Sequence, residues 1–513
     1  MILHYFNENK NLNNWGKVYV NGDEAELAYS RVSAIPANIW WPGKQRPVKD
    51  TEEAPFVSLE SDKEIEIKVV SDKIKENSEI VVRPQSKGVK ITHIDNQAMF
   101  SLKEHGAYTF EIDGFHEALH IFYNPERDFV KEEEKSGREI IIYKAGVHEV
   151  GDIEISSHTS VIVDAGAVVY GSFTAIGAED VRICGYGIID GSKEVRYDDT
   201  LILPISAKKV DGSGVVIEYS DNDLTKDDAL RKNIKDFKVL SGCIRFYNCK
   251  NFSTEGVIMR DSATFCIVPA ACDNFVIDNT KMIGMWRYNS DGIDLFNCRN
   301  AVIKNCFLRN FDDCIVIKGI VGFDVKNNEN ISVENCVVWC DWGSALEIGA
   351  ETNADEYNNI IFKNCDIIHA AHVIMRIHHH NRAIISNVIY DGINAEFTKY
   401  QLPPHVISQE DEYFGKKNEF QPALFIATIV AGGGGYGRDK TSGAINGVIV
   451  RNTKVYKDEE VVIPHSRMNG LDEKHKVSNV SIENIYINGE ICKDYEKYYD
   501  NMSFTENIKY EIL

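Results

Sequence analysis

The sequence predicts an all-β protein, a right-handed parallel β-helix with an N-terminal β-sandwich-like domain. Short strands of β-branched residues that end at asparagine recur every 23 to 30 residues through the second part of the chain. The first 123 residues also contain strand candidates, but these lack the asparagine ending. Repeats of this length are typical of solenoids, in which one repeat forms one coil.

The repeated phrase is clearest in four places: Asn274–Asn279, Asn300–Asn305, Asn330–Asn335 and Asn359–Asn364. Each copy carries β-branched residues and ends at an asparagine, which tolerates the left-handed conformation that a tight corner needs. Leucine-rich repeats have a similar length, but their leucine and helix signature is absent. A parallel β-helix is therefore expected.

The chain divides into four predicted segments: a sandwich-like domain at 1–123, a charged linker at 124–137, the β-helix at 138–490 and a C-terminal segment at 491–513. Two long stretches, 192–236 and 398–446, interrupt the coils. Loops of this length in a compact architecture are commonly functional, and these two are predicted to form the walls of a cleft.

The 12 cysteines are predicted to be reduced thiols. Two series follow the coil spacing: Cys249, Cys272 and Cys298, and Cys306, Cys336 and Cys365. Such ladders indicate small apolar residues stacked on successive coils. No CxxC pair or HExxH motif indicates zinc, so neither a metal nor another cofactor is expected.

Charge and hydropathy exclude several classes of partner. The formal net charge of -22 disfavours nucleic acid and anionic membrane surfaces. No run of about 18 apolar residues predicts a membrane span. The first residues lack a basic segment followed by an apolar one, so a cytoplasmic protein is expected, or a secreted one if a signal peptide has been removed. The oligomeric state is not readable from the sequence.

Three carboxylates fall at similar places on successive coils. Asp291 lies 12 residues after the corner Asn279, and Asp312 lies 7 residues after the corner Asn305. Asp313 is adjacent, and neighbours on a regular strand face opposite sides. Asp312 and Asp313 therefore reach one site only if the chain bends there.

The strands that follow these acids align by their inward apolar residues, which places the other residues in two outward columns. The columns are Asp294, Val316, Glu347 and Arg376, and Phe296, Lys318, Gly349 and His378. Strands lie about 4.8 Å apart, so Glu347 and Arg376 are expected to pair.

Four motifs in this region resemble those of the polygalacturonase family, a family of the pectin-lyase-like β-helix superfamily: Asn289-Ser-Asp291, Asp312-Asp313-Cys-Ile-Val-Ile, Trp342-Gly-Ser-Ala-Leu-Glu-Ile-Gly349 and Arg376-Ile-His378. The acidic trio and the N-terminal sandwich are also similar to the dextranase and isopullulanase family. The resemblance covers roughly residues 138–490. It implies an inverting glycoside hydrolase with Asp291, Asp312 and Asp313 as catalytic residues.

Inversion requires one protonated carboxyl group for the leaving oxygen and carboxylates about 6.5 to 9.5 Å away that activate a water molecule. Repulsion among three clustered acids keeps one proton bound. We hypothesise that Asp312 is the acid and that Asp291 and Asp313 activate the water. The sequence alone does not separate the role of Asp312 from that of Asp313.

Two departures from the family motifs concern the substrate. Gly343-Ser344-Ala345 replaces the family's Gly-His-Gly, and Arg376-Ile-His378 replaces its Arg-Ile-Lys, a substitution that loses a permanent positive charge. Glu347 adds an acid beside Arg376, whereas Lys318 restores a cation in the column of His378. The expected substrate is an α-linked oligo- or polysaccharide with a neutral or atypical uronic sugar, cleaved by exo-action.

Most of the flanking residues have two interpretations. The aromatic candidates either stack on sugar rings or pack against and shield the protein: Trp286, Trp342 and Trp40-Trp41-Pro42. Asn289 is a candidate substrate ligand. Arg376 is a clamp for substrate or a structural partner of Glu347. His378-His379-His380 is a metal cluster or a solvated strand end.

Two alternative functions remain open at this stage. The three aspartates are also suited to holding calcium in a pectate-lyase-like eliminase. A carbohydrate-binding β-helix without catalysis is the third class. A carbohydrate is the expected partner in all three cases.

Overall fold

A computed structural model describes residues 1–7, 15–34, 46, 48–114, 116–194, 242–320, 323, 326–401, 421–431, 441–499 and 502–513, with the backbone alone at 39–40, 207–209, 215–217 and 405–406. The predicted all-β class and right-handed parallel β-helix are confirmed. Trp41, Pro42, the side chain of Trp40 and most of the two predicted cleft walls lie outside the described residues.

Each coil of the β-helix contributes strands to three faces. The first face has 12 strands: Glu139–Tyr143, Thr159–Val163, Glu179–Cys184, Lys250–Glu255, Asp273–Asp278, Arg299–Lys304, Asn328–Glu334, Glu356–Lys363, Ile384–Asp391, Ala444–Arg451, Val477–Glu483 and Thr505–Glu511. The second face follows it along the chain: Ile188–Asp190, Ile258–Arg260, Lys281–Met285, Phe307–Asn310, Val337–Cys340, Asp366–Ala370, Asn394–Phe397, Lys454–Lys457 and Tyr486–Ile487.

The third face closes each coil: Ile244–Tyr247, Ile267–Ala270, Ile293–Phe296, Ile315–Gly319, Ser344–Thr352, Val373–His379, Ala423–Ile429 and Arg467–Asn469. Gly146–Glu154 and Ala167–Ile176 belong to the sheet formed by the second and third faces, and Glu490–Ile491 pairs antiparallel with Tyr486–Ile487. Ala207–Lys209 pairs with Val215–Ile217, and Ile39–Trp40 pairs with His405–Val406.

The corner between the first and second faces is built from asparagines in the left-handed region. Asn305 and Asn335, for example, have φ of 57° and 54°. A second asparagine column marks the other end of the first face, where Asn330 donates to Asn300 at 3.0 Å and Asn359 donates to Asn330 at 2.8 Å. Asparagine thus supplies both the backbone conformation and a ladder of hydrogen bonds.

The interior of the β-helix is filled by the inward residues of all three faces. Ile293, Ile315, Leu346 and Met375 stack in register on successive coils, as their alternation predicts. The two predicted cysteine ladders are free thiols buried beside this core. All twelve cysteines are free thiols, and the stacking predicted for the six ladder cysteines is confirmed.

The N-terminal domain consists of two packed sheets, as predicted. One sheet contains Ile2–Leu3, Ala28–Ser33, Thr51–Glu60, Ile80–Arg83, Gly106–Ile112 and Leu119–Asn124, and the other contains Lys17–Val20, Asp23–Ala25, Ile65–Val70, Thr92–Ile94 and Gln97–Leu102. Their facing apolar residues, such as Val57 and Ile121 against Ile67 and Phe100, form one core. Short 3-10 helices lie at Val48–Asp50 and Gln85–Lys87.

The N-terminal domain packs on the second face of the β-helix. Phe56 and Phe122 of the domain share an apolar cluster with Phe307 and Ile368 of the second face. The second face has two long edges, one on each side of this contact. The asparagine corner lies along one edge, and the turns between the second and third faces lie along the other.

The predicted linker contains a short helix, Phe129–Glu133, that docks on the first coils. Glu133 is buried and pairs with Arg138 at 2.8 Å and with Arg182. The ring of Phe129 meets that of Tyr186 edge-on at 5.1 Å. Part of the charge that predicted a linker, on Arg127, Glu132 and Glu133, therefore forms ion pairs with the β-helix.

The predicted end of the β-helix at residue 490 is too early. Thr505–Glu511 adds a twelfth strand to the first face, paired with Val477–Glu483. It follows the 3-10 helix Tyr495–Tyr498, whose aromatic residues cover the open end of the interior. The asparagine phrase is incomplete here: Asn507 donates to Asn479 at 2.6 Å, but Ile512 stands at the position of the corner asparagine. No helix within the described ranges is long and apolar enough to cross a membrane.

Candidate active site

The predicted catalytic residues meet in the turns that connect the second face to the third. Asp291 lies two residues before the strand Ile293–Phe296, and Asp312 and Asp313 precede the strand Ile315–Gly319 on the next coil. The two strands pair in parallel, so their turns stack on each other. Carboxylates separated by about one repeat in sequence thereby become neighbours.

The chain bends at Asp312 and Asp313, as both must if they serve one site. The backbone N–H of Asp313 donates to Oδ1 of Asp312 at 3.1 Å, and the N–H of Ser344 donates to Oδ1 of Asp313 at 2.8 Å. Gly343 makes this approach feasible, since a β-carbon there would lie 2.6 Å from Oδ1 of Asp313. The coil that carries Ser344 therefore fixes the orientation of Asp313.

Lys318 places a buried ammonium group between two carboxylates. Its Nζ lies 2.8 Å from Oδ2 of Asp291 and 2.8 Å from Oδ1 of Asp294, and all three side chains are buried. The ring of Phe265 lies 4.9 Å from the ammonium group. One cation thus compensates two acids, and Asp291 is the one that faces the turn.

Burial and repulsion give the acids different pKa values. Burial raises the pKa of Asp291 to about 6, against the opposing attraction of Lys318. Burial raises the pKa of Asp312 well above its usual range, and the charges of Asp291 and Asp313 raise it further. Asp312 therefore keeps its proton at a pH at which Asp291 is ionised.

Glu347 and Arg376 face each other on adjacent strands of the third face. Nη1 of Arg376 lies 3.6 Å from Oε2 of Glu347 and donates to Oγ of Ser344 at 3.2 Å. Burial raises the pKa of Glu347 to about 8, and the charge of Asp313 adds to this effect against that of Arg376. Arg376 thus links the Ser344 coil to a carboxyl group that is protonated near neutral pH.

His378 lies beside this pair but carries no charge there. Its Nδ1 is 3.8 Å from Oε1 of Glu347, and its Nε2 is 2.7 Å from Nε2 of His380. Burial and the charge of Arg376 lower the pKa of His378. His379 is buried and bonds Thr352 at 2.7 Å, and His378 and His380 are half-buried, so the three histidines do not form a solvated strand end.

The residues predicted to flank the acids differ in their exposure and contacts. Trp286 is 6% exposed and its indole N–H donates to Oδ1 of Asp261 at 2.9 Å, which favours a packing role. Trp342 is half-buried and stacks on Phe311 at 6.0 Å, beside the acids. Asn289 is half-buried with φ of 54°, so it shapes the turn before Asp291.

The profile of glycosyl hydrolases family 28 matches residues 181–425, the segment that carries these motifs. Over this segment the chain resembles the polygalacturonase family. Probable rhamnogalacturonase A from Aspergillus oryzae is 25% identical over 162 residues, which is 31% of this chain and 32% of that protein. Exopolygalacturonase X from Aspergillus niger is 25% identical over 210 residues, or 39% of each chain. The chain spans about a third of the length of the curated relatives that it matches.

Solved structures show the same fold. The hyperthermoactive exopolygalacturonase from Thermotoga maritima has a TM-score of 0.51 at 18% identity, over 74% of this chain and 86% of that one. Dex49A from Penicillium minioluteum has a TM-score of 0.57 at 12% identity, over 97% of this chain and 93% of that one. The likeness to Dex49A covers the N-terminal domain as well as the β-helix.

Three residues of this polygalacturonase-like site were not predicted as site residues. Asp294 shares Lys318 with Asp291, and the charge of Glu351 raises the pKa of Asp291. His372 lies 3.5 Å from Nη1 of Arg376, and its pKa is lowered to about 4 by burial and by that charge. The strand alternation already placed Asp294 in the outward column. Nothing in the sequence singled out Glu351 or His372.

The N-terminal domain borders the acid-bearing turns. The guanidinium group of Arg46 lies 5.6 Å above the ring of Phe311, the residue before Asp312. His116 bonds Oδ1 of Asp341 at 2.9 Å, one residue before Trp342. The domain therefore forms one side of the polygalacturonase-like site.

Proposed function

We propose that the protein is an inverting glycoside hydrolase that cleaves an α-linked oligo- or polysaccharide. The observation that carries this proposal is that the clustered carboxylates have different charged partners. Lys318 compensates Asp291, whereas Asp312 lies next to Asp313 and, within the described part of the chain, accepts no hydrogen bond from a cation. The match to glycosyl hydrolases family 28 and the relatives named rhamnogalacturonase and exopolygalacturonase support the reaction class.

In the proposed reaction, Asp312 donates its proton to the glycosidic oxygen as the bond to the anomeric carbon breaks. Asp291 and Asp313 hold a water molecule on the opposite face of the sugar and take its proton as its oxygen attacks. Lys318 donates a hydrogen bond to Asp291, and the backbone N–H of Ser344 donates one to Asp313, so both carboxylates are held in position. The product then has the inverted anomeric configuration.

The charges around Arg376 bear on the substrate. Lys318 is engaged by two carboxylates and His378 is neutral, so Arg376 is the cation of this group that faces the sugar site. While Glu347 is protonated, Arg376 can bind the carboxylate of a uronic sugar. Ser344 and Glu347 can form hydrogen bonds with hydroxyl groups of a neutral sugar. We therefore keep both neutral and atypical uronic sugars as candidates.

Exo-action fits the position of the N-terminal domain beside the acids. A domain on one side of the turns limits how far a chain extends through the site. Arg46 and Trp342 lie at this boundary. A cytoplasmic location remains a prediction, and the free buried thiols are in keeping with it.

Incubation with neutral and uronic oligosaccharides, followed by proton NMR of the first product anomer, tests the proposal. An inverted anomer released one end unit at a time is expected. A retained anomer would refute the mechanism, and binding without new reducing ends would favour the non-catalytic alternative.

Calcium-dependent elimination is disfavoured by Lys318, whose ammonium group already fills the space between Asp291 and Asp294. Loss of activity in EDTA, with an unsaturated product that absorbs in the ultraviolet, would reverse this conclusion.

A further inference from the structure

A second groove, of about 730 Å³, runs along the asparagine corner of the β-helix. The groove lies between this corner and the N-terminal domain. The acid-bearing turns lie on the opposite side of the contact between the domain and the β-helix. The floor of the groove is formed by the corner residues of six coils: Asn279, Asn305, Asn335, Asn364, Gly392 and Asn452. The acids of the proposed active site do not line it.

The size and shape of this corner groove suit a linear ligand. Coils stack about 4.8 Å apart, so six corner residues extend over about 24 Å. Pockets that hold ligands commonly have volumes of about 300 to 1,000 Å³ and occur at domain interfaces. The corner groove meets both conditions.

Three acids at the corner groove, Glu255, Asp278 and Asp391, each have a basic partner, whereas Asp366 bonds Ser86 and Asn394 and Lys454 lines the groove as a further cation. Arg127 lies 2.6 Å from Glu255, and Lys304 lies 3.3 Å from Asp278. Asp391 is similarly held by Arg451 at 2.8 Å. Because opposite charges balance along its length, the groove has little field to attract either a polyanion or a polycation.

The asparagines of the corner column supply neutral polar groups to the groove. The side-chain amide of Asn305 donates to Asp278, and the side-chain amide of Asn452 donates to Asp391. The exposed amides of Asn335 and Asn364 make no such side-chain bond within the described part of the chain. Gly392 keeps the amide of Asn364 open, since a β-carbon there would lie 2.7 Å from its Oδ1.

Aromatic rings complete the lining. Tyr108 of the N-terminal domain and Tyr456 of the second face line the groove, but Tyr108 is buried and its hydroxyl group donates to the carbonyl of Glu104. Tyr456 is half-buried, which leaves part of its ring available for contact. Amides that donate and accept, together with the ring of Tyr456 and balanced charge, match a ligand rich in hydroxyl groups and apolar ring faces.

We propose that the corner groove is a second carbohydrate-binding site, which takes a linear neutral oligo- or polysaccharide. It acts separately from the acid-bearing turns and goes beyond the proposed hydrolysis. Such a site holds the protein on a polymer while its ends are processed elsewhere on the molecule.

Native electrophoresis in gels that contain dextran, arabinan, galactan or polygalacturonate tests this site. The background is the full chain with Asp312→Asn, which prevents cleavage of the polymer. The test variant is Asn335→Gly with Asn364→Gly, because glycine keeps the left-handed backbone while removing both amides. The matched control is Asn330→Gly with Asn359→Gly, which alters the other asparagine column outside the groove.

At least one neutral polymer should retard the background protein and the control. The groove variant should bind that polymer at least tenfold more weakly, with an unchanged melting temperature. Equal retardation of all three proteins would assign the binding to the acid-bearing turns and overturn the proposal. So would retardation by polygalacturonate alone or by no polymer. Hydrolysis by the groove variant without Asp312→Asn reports separately on the proposed activity.

Discussion

Lys318 donates to Oδ2 of Asp291 over 2.8 Å, from the coil that follows it. This bond brings together residues 27 positions apart in the chain, and it stabilises the charged form of a carboxylate that burial would otherwise neutralise. The same ammonium group contacts Asp294, which is fully buried. The charge state of the proposed base thus depends on the stacking of two coils.

Replacement of Asp312 by asparagine should lower kcat by about 10²- to 10⁴-fold, because it removes the proton donor for the leaving oxygen. Reducing-end release on the substrate found in the oligosaccharide panel measures this loss. The melting temperature should change little, since asparagine has nearly the same shape. Asp355→Asn, at a site with an 80% exposed side chain, is the control and should keep full activity. A normal rate in Asp312→Asn would remove Asp312 from the mechanism.

The dependence of kcat/KM on pH should be bell-shaped. Activity should fall as the pH drops through about 6, because protonation of Asp291 removes the base. It should also fall on the alkaline side, where Asp312, whose pKa is raised, loses its proton. Initial rates at constant ionic strength measure both limbs, whose apparent values belong to the coupled acids together. A profile that is flat between pH 5 and pH 7 would contradict the role of Asp291.

Replacement of Lys318 by methionine should move the acidic limb of that profile upward by about 1 to 3 pH units. The ammonium group lowers the pKa of Asp291, so its loss allows protonation at higher pH. The variant should also lose about 3 to 5 kcal/mol of stability, since it leaves buried carboxylates without a cation. Lys250→Met, on the exposed side of the first face, should change neither quantity. An unshifted limb in a folded Lys318→Met protein would show that Lys318 is structural.

The affinity for galacturonate should fall as the pH rises through about 8. Ionisation of Glu347 then neutralises Arg376, which otherwise attracts a substrate carboxylate. Inhibition constants of galacturonate, measured against a neutral substrate, report this change. Glu347→Gln should abolish the pH dependence while retaining the bond of Arg376 to Ser344. Galactose, which has no carboxylate, is the matched ligand control, and an identical trend for it would exclude Arg376 as the cause.

Acid should weaken the contact between the two domains. Arg83 lies between Glu111 and Glu396, and the Arg83 and His369 charges hold the pKa of Glu111 at about 2, against the effect of burial. A depressed pKa contributes stability above the ordinary value near 4.5, and this contribution is lost as the pH falls from there through about 2. Glu111 therefore contributes about 3 kcal/mol at neutral pH.

Urea unfolding at several pH values measures this effect. Glu111→Gln should lower the free energy of unfolding at pH 7 and flatten its decline toward pH 2. Glu473→Gln, at an exposed position, should match the parent protein throughout. A parallel decline in Glu111→Gln would place the acid sensitivity elsewhere.

Local chemistry made much of the β-helix predictable from sequence. Asparagine tolerates the left-handed corner, and β-branched residues alternate between core and solvent, so both the coil repeat and the inward column of Ile293 and Ile315 were readable. The same alternation anticipated the pairing of Glu347 with Arg376. The end of the β-helix was misplaced because the final coil keeps only half of the asparagine phrase, with Asn507 at its start and Ile512 at the corner position.

The sequence by itself determined that acids at one-coil spacing lie together. The tertiary structure alone decided which charged and polar groups contact the site residues. The ammonium group of Lys318 contacts both Asp291 and Asp294, and His372 approaches Arg376. The tertiary structure also decided where the N-terminal domain packs, and thus that two separate edges remain beside it. The physical reason is that charge compensation and burial depend on distances between coils and domains, whereas strand pattern and corner conformation depend on neighbouring residues in the chain.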